Sequence, residues 1–210
     1  MNNKGGMEAR IRTVVLSPRK IEDVFLRYRK WRADVFQSVL VFLMSCILLA
    51  GCQRSANANW DRLIKDIRLT FPTVKQVSTD ELQNWMTAQD EARPLLIDRR
   101  ERAEYEVSHL QGALPANDAE EALKIIEREG KNRPVVVYCS VGYRSSVLAR
   151  KLGKMGITNI YNLEGSIFKW ANEGRPVYHN DRQVRVVHPF DSKWRNFLDK
   201  ELWYTPGNEQ

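Results

Sequence analysis

Cysteine is scarce in this sequence, and so is histidine: each occurs three times in 210 residues. Three scattered cysteines, Cys46, Cys52 and Cys139, exclude a disulfide-rich scaffold. No Cys, His, Asp or Glu cluster has the spacing of metal ligands, so no metal is expected. The chain also lacks the run of about 20 apolar residues that a comfortable transmembrane helix needs. Internal repeats and low-complexity segments are missing as well.

Acidic charge is in modest deficit, giving a net +7 and a pI near 9.4. Most of that excess lies in residues 1–51, and the remainder of the chain is nearly balanced. No basic block with interleaved aromatics occurs there, so nucleic acid is not an expected partner.

The basic arm has a different reading. Arg27, Arg29, Lys30 and Arg32 precede the apolar stretch 39–50, whose length suits the h-region of an export signal. It runs into Leu49-Ala50-Gly51-Cys52, which resembles the bacterial lipoprotein processing box. That resemblance implies a signal over residues 1–51, a lipidated Cys52, and a small polar tether over 52–59. The protein is then expected to be membrane-anchored, with its globular part in the periplasm or otherwise outside the cytoplasmic membrane. An uncleaved N-terminal anchor is the alternative. In the processed chain Cys139 is the only thiol left.

Beyond the tether the apolar spacing reads as strands alternating with helices. Trp60, Leu63, Ile64 and Ile67 recur at helical spacing in an N-terminal extension over 60–73. A strand is expected near 74–77, followed by a helix opened by the capping box Ser78-Thr79-Asp80-Glu81. Residues 94–98 and 134–139 read as buried strands, the second uncharged and β-branched. Helices are expected over 101–107, 119–129, 145–155 and 166–172, a strand over 159–163, and a possible edge strand over 184–187. Trp194, Phe197, Leu198 and Leu202 show helical spacing in a C-terminal extension over 179–210. This alternation predicts an α/β fold with a mainly parallel central sheet covered by helices on both faces.

Cys139 ends the strongest strand, and the loop Ser140-Val141-Gly142-Tyr143-Arg144 leads from it into a helix. That placement puts the sulfur at a helix N-terminus, where free N–H groups and the helix dipole favour an anion. A thiolate there has a lowered pKa and is the nucleophilic form. Gly142 allows the loop to curl its N–H groups inward, and Arg144 adds a permanent charge. The duller alternatives are a small buried Cys139 and a solvated Arg144.

The segment Cys139-Ser140-Val141-Gly142-Tyr143-Arg144-Ser145-Ser146 resembles the active-site loop of single-domain rhodaneses. Three further stretches resemble that family in order and spacing: Asp98-Arg99-Arg100-Glu101 with Glu104-Tyr105, His109-Leu110-Gln111-Gly112-Ala113, and Asn162-Leu163-Glu164-Gly165-Ser166 with Trp170 to Pro176. Ser166 departs from the pattern, where a second Gly is common. The resemblance covers about residues 74–178 and implies a rhodanese-like three-layer fold. It implies a sulfurtransferase without cofactor, in which Cys139 becomes a persulfide. A thiosulfate-like molecule would be the donor, a thiol or cyanide the acceptor, and the loop Ser140–Arg144 the substrate cradle. Asp98 and Arg100 read as structural support, and His109 as a hydrogen-bonding turn residue.

Two rival classes stay open. A persulfide carrier or partner-binding module would keep the cysteine without turnover. Phosphatases and arsenate reductases also use a Cys–Arg anion loop, but with five intervening residues where Cys139 and Arg144 enclose four.

Overall fold

The computed structural model describes residues 29–32, 35–37, 60–87, 93–130 and 133–208. The chain divides into two units, Met1–Ser55 and Ala56–Gln210. In the first, residues 29–32 and 35–37 are helical and exposed. The apolar stretch 39–50, Cys52 and the tether lie outside the described residues. Among the described residues no helix is long and apolar enough to cross a membrane.

The second unit opens with helix α1 (60–70) and then alternates: β1 (Lys75–Val77), α2 (Thr79–Thr87), β2 (Leu95–Asp98), α3 (Arg102–Val107), β3 (Leu114–Pro115), α4 (Ala119–Glu129), β4 (Val135–Tyr138), α5 (Tyr143–Lys154), β5 (Ile160–Leu163) and α6 (Ser166–Asn172). A hairpin of β6 (Val177–His179) and β7 (Arg182–Val184) follows. Strands β1 to β5 form one sheet in the order β1-β5-β4-β2-β3, and every pairing in it is parallel.

Side chains alternate across this sheet and fill a core on each face. Leu96, Val136, Tyr138 and Leu163 join Ile167, Phe168 and Trp170 of α6 on one face. Leu95, Ile97, Val135 and Val137 join Ile67 and Phe71 near the end of α1, Ala122 and Ile126 of α4, and Leu148 and Leu152 of α5 on the other. Burial on both faces is why β2 and β4 are uninterrupted apolar runs up to their last residues. The fold is therefore α/β, with a parallel sheet between two helical layers. Adjacent strands β4 and β5 send their helices to opposite faces, so their C-terminal ends lie at a topological switch point of the sheet.

Helix ends follow local chemistry. Ser78 and Glu81 close the expected capping box, with Ser78 N–H on Glu81 at 2.8 Å and Glu81 N–H on Ser78 at 3.2 Å. Asp118 caps α4 through the N–H groups of Glu120 and Glu121. Helix α5 begins at Tyr143, two residues before the expected start. Ser146 Oγ donates back to Gly142 O at 2.7 Å from inside the first turn. Gly142, at φ 107°, takes the cap position.

Two expectations for the C-terminal region are corrected. The edge strand is not part of the main sheet: β7 pairs antiparallel with β6 across the tight turn Asn180-Asp181, with Asn180 at positive φ. The helix expected from Trp194 to Leu202 is two 3-10 turns, Arg195–Phe197 and Lys200–Leu202. Asn172 separates them by taking Phe197 O and Asp199 N onto its side-chain amide, the backbone groups that a continuous helix needs. Trp194, Phe197, Leu202 and Trp203 still pack on the core of the α6 face.

Candidate active site

The structure places Cys139 directly after β4, at that switch point, with only 1% of its surface exposed. Its backbone is anchored to α6. Cys139 N–H donates to Ser166 Oγ at 3.1 Å, and the carbonyls of Cys139 and Ser140 accept from Ile167 and Phe168 N–H. Its sulfur faces the start of α5. Gly142 N–H donates to Sγ at 3.2 Å, and Ser145 Oγ lies 3.5 Å away. A Cβ on Gly142 would sit 3.4 Å from Asn162 Nδ2 and demand a left-handed backbone, so the tight turn over the sulfur calls for glycine.

Burial works to raise the Cys139 thiol pKa, but the Arg144 charge and the backbone N–H groups of Ser145 and Gly142 act against it, and the net pKa lies below the ordinary value. The loop thus makes this thiol easier to ionise than a free cysteine despite the dry surroundings.

The remaining loop residues divide by side chain. Val141 is buried in the core, so only its backbone faces the loop. Tyr143 is 47% exposed, with its ring edge-on to Phe71 at 5.2 Å. Ser140 Oγ donates to Glu104 Oε1 at 3.0 Å and accepts from Arg144 Nη2 at 2.9 Å. Arg144 stands in the first turn of α5, and both arms of its fork meet the Glu104 carboxylate at 2.8 Å. Phe190 from the C-terminal tail covers the guanidinium at 4.1 Å. Arg144 is therefore held by three protein groups, where the sequence suggested a cation open to a donor.

Asp98 and Arg100 form a fully buried ion pair at the end of β2. Arg100 Nη2 reaches Asp98 Oδ2 at 2.7 Å and also donates to the carbonyl of Ser108, tying β2 to the turn before β3. Burial disfavours the Arg100 charge, and Asp98 more than restores it. His109 ladders with Tyr178 through both backbone groups at 2.8 Å. Its ring stacks on Tyr105 at 4.1 Å, and Nδ1 lies 3.1 Å from Tyr105 O. Among the described residues no group of His, Cys, Asp or Glu is arranged to hold a metal.

Four residues of the site have no role in the sequence reading beyond membership of a motif: Glu104, Ser145, Asn162 and Ser166. Ser166 adopts φ 51°, a left-handed backbone that favours glycine. Its hydroxyl explains the serine, because it accepts Cys139 N–H and donates to Leu163 O at 3.1 Å. A polar residue inside an apolar strand was the available signal for Asn162.

Residues 78–173 match the rhodanese-like domain family. Among curated proteins, a tRNA uridine(34) hydroxylase from Photorhabdus laumondii is 30% identical over 91 residues, covering 41% of this chain and 26% of that protein. One from Escherichia coli K12 is 33% identical over 118 residues, covering 54% and 34%. The chain thus spans about a third or less of the length of these relatives. Among solved structures, a thiosulfate sulfurtransferase from Pseudomonas aeruginosa is 20% identical with a TM-score of 0.49, covering 64% of this chain and 25% of that one. A rhodanese-related protein from Thermoplasma volcanium is 22% identical with a TM-score of 0.40, covering 50% and 99%. The matched stretch 78–173 contains Cys139, its loop, Glu104, Asn162 and Ser166.

Proposed function

We propose that this chain transfers sulfane sulfur through a persulfide on Cys139. The observation that carries the reading is the Gly142 N–H directed at Sγ from the mouth of α5, which offers an anionic sulfur a ready donor. In the proposed cycle the Cys139 thiolate attacks the outer sulfur of a donor. The donor's S–S bond breaks, and the donor leaves with the bonding electron pair, as sulfite if thiosulfate is used. A thiolate or cyanide then attacks the outer persulfide sulfur and releases Cys139 as thiolate. Both steps are displacements, so the cycle needs no external oxidant and no cofactor.

The test is thiocyanate formation from thiosulfate and cyanide by the full chain, with intact mass after thiosulfate alone. One added sulfur on Cys139 and loss of activity in Cys139→Ser are expected. A Cys139→Ser protein that still turned over would overturn the reading.

The neutralised Arg144 and the buried sulfur favour a second reading, a persulfide carrier loaded and unloaded by protein partners. Slow thiosulfate turnover beside rapid sulfur uptake from a persulfide donor is its signature. The phosphatase alternative keeps only the Cys–Arg pairing. The four-residue spacing gives a loop suited to sulfur, and aryl phosphates are expected to remain intact. The hydroxylase relatives are matched over about a third of their length, so the proposal takes the shared domain and not their activity.

The proposal extends to location. Cys52 is lipidated and becomes the N-terminus when residues 1–51 are removed, and residues 53–59 tether the domain outside the cytoplasmic membrane. Mass spectrometry of the membrane fraction tests this: an acylated N-terminal Cys52 is expected, and an unmodified Cys52 in a full-length chain would refute it.

A further inference from the structure

Asn162 lies in β5 with no exposed surface, next to Leu163 in the core. A buried amide needs partners for its donor and acceptor groups. Asn162 Nδ2 donates to Gln76 Oε1 at 2.7 Å, and Asn162 Oδ1 accepts from Ser145 Oγ at 2.6 Å. Gln76 is its register partner on the edge strand β1, and Gln76 Nε2 donates in turn to Val74 O at 3.3 Å. That last bond orients the whole chain of groups. With its nitrogen on a carbonyl, Gln76 presents oxygen to Asn162, and Asn162 therefore presents oxygen to Ser145.

Ser145 has a single hydroxyl proton. It stands between two acceptors, Asn162 Oδ1 at 2.6 Å and Cys139 Sγ at 3.5 Å. The shorter contact, to the harder acceptor, holds the proton. Ser145 then turns a lone pair toward the sulfur, which suits S–H and opposes S⁻.

We propose that Asn162, oriented by Gln76, is a positioning residue that draws the Ser145 proton away from Cys139 and thereby sets the balance between thiol and thiolate. The inference rests on the reading of Cys139 as the attacking thiolate. When the thiol ionises, the hydroxyl either turns to the sulfur and leaves Asn162 Oδ1 unpaired, or stays and leaves the sulfur to the Gly142 N–H. Asn162 makes ionisation harder in both cases. The relay works against the charge of Arg144 of α5, itself paired to Glu104 of α3; Glu164 after β5 is paired to Arg68 of α1, and His188 of the tail feels Glu104, Arg100 and Arg144.

The test is the pH dependence of Cys139 alkylation by iodoacetamide in the full chain, read on the Cys139 peptide by mass spectrometry. In Asn162→Leu the Ser145 proton is free to face the sulfur. In Gln76→Leu the Asn162 amide is free to turn its nitrogen to Ser145, with the same result. Each variant is expected to lower the alkylation midpoint by about half to one pH unit. In a Ser145→Ala background neither substitution should move it. An unmoved midpoint in Gln76→Leu, or a shift that persists without Ser145, would overturn the relay. Gln76 lies on an edge strand and is only half-buried, so Gln76→Leu decides the matter if Asn162→Leu does not fold. Alkylation requires no sulfur donor: a chain that shows this coupling but accepts no sulfur keeps the relay and loses the sulfurtransferase reading.

Discussion

Glu104 and Arg144 meet through two parallel hydrogen bonds of 2.8 Å, so the cation of the Cys139 loop is paired before any substrate arrives. The carboxylate side chain is 3% exposed and the guanidinium side chain 23%. Burial alone would raise the Glu104 pKa, but Arg144 and the Glu101 N–H hold it below the ordinary carboxylate value. The pair fixes the loop and removes most of its net charge.

Glu104→Gln keeps the shape and releases the charge. An anionic donor then meets an unneutralised Arg144, and the thiosulfate KM is expected to fall severalfold. The Cys139 alkylation midpoint is expected to fall as well, since the thiolate gains an unopposed cation. Steady-state kinetics and the alkylation profile check both; an unchanged KM would show that Arg144 does not reach the donor.

Breaking the Asp98–Arg100 pair from one side strands a charge in a site with no solvent access. Asp98→Ala is expected to lower stability by about 3–5 kcal/mol, read from urea denaturation. Replacing both residues with Leu should cost less than Asp98→Ala. If the double variant is the weaker one, the pair stabilises the fold by more than mutual neutralisation.

Phe190 has φ 63° while its ring covers Arg144. A left-handed phenylalanine costs about 1–2 kcal/mol, and glycine avoids that cost. Phe190→Ala keeps the strain and loses the ring, whereas Phe190→Gly loses both. The glycine variant is expected to be more stable than the alanine variant by about 1 kcal/mol. Thermal melts decide, and the reverse order would rule out backbone strain at this position.

Histidine protonation contributes to the loss of stability on mild acidification. Burial is the main cause that lowers the pKa of both His109 and His188. The unfolded chain therefore takes up their protons first as pH falls. Stability is fully present above about pH 6.5 and declines below it, toward the depressed folded values. Melting temperatures between pH 8 and pH 5 should show this decline, and His109→Gln should make it shallower. A slope identical in the variant would remove His109 from the account.

The strands and most helices were legible because their signals are local. An apolar β-branched run such as 135–138 has to be buried on both faces, and Asp118 or Ser78 with Glu81 satisfies helix N–H groups within one turn. Cys139 was legible for the same reason, since strand, glycine turn and helix are adjacent in sequence. The start of α5 differs because Tyr143 and Arg144, expected in the loop, already continue into the helix once Gly142 makes its left-handed turn. The C-terminal turns were misread because Asn172, about 25 residues earlier, interrupts what the spacing of Trp194, Phe197, Leu198 and Leu202 would otherwise form.

The sequence by itself determined the parallel α/β architecture and the placement of Cys139 at the end of β4, both consequences of hydrophobic periodicity and turn chemistry within short windows. Only the tertiary structure decided what surrounds that sulfur. Glu104 from 40 residues away holds Arg144, and Ser166 from 27 residues away takes the Cys139 N–H. Asn162 holds the Ser145 proton, and Phe190 closes over the guanidinium. A buried polar group has to find its partners wherever the fold brings them, and no local pattern in the chain records that choice.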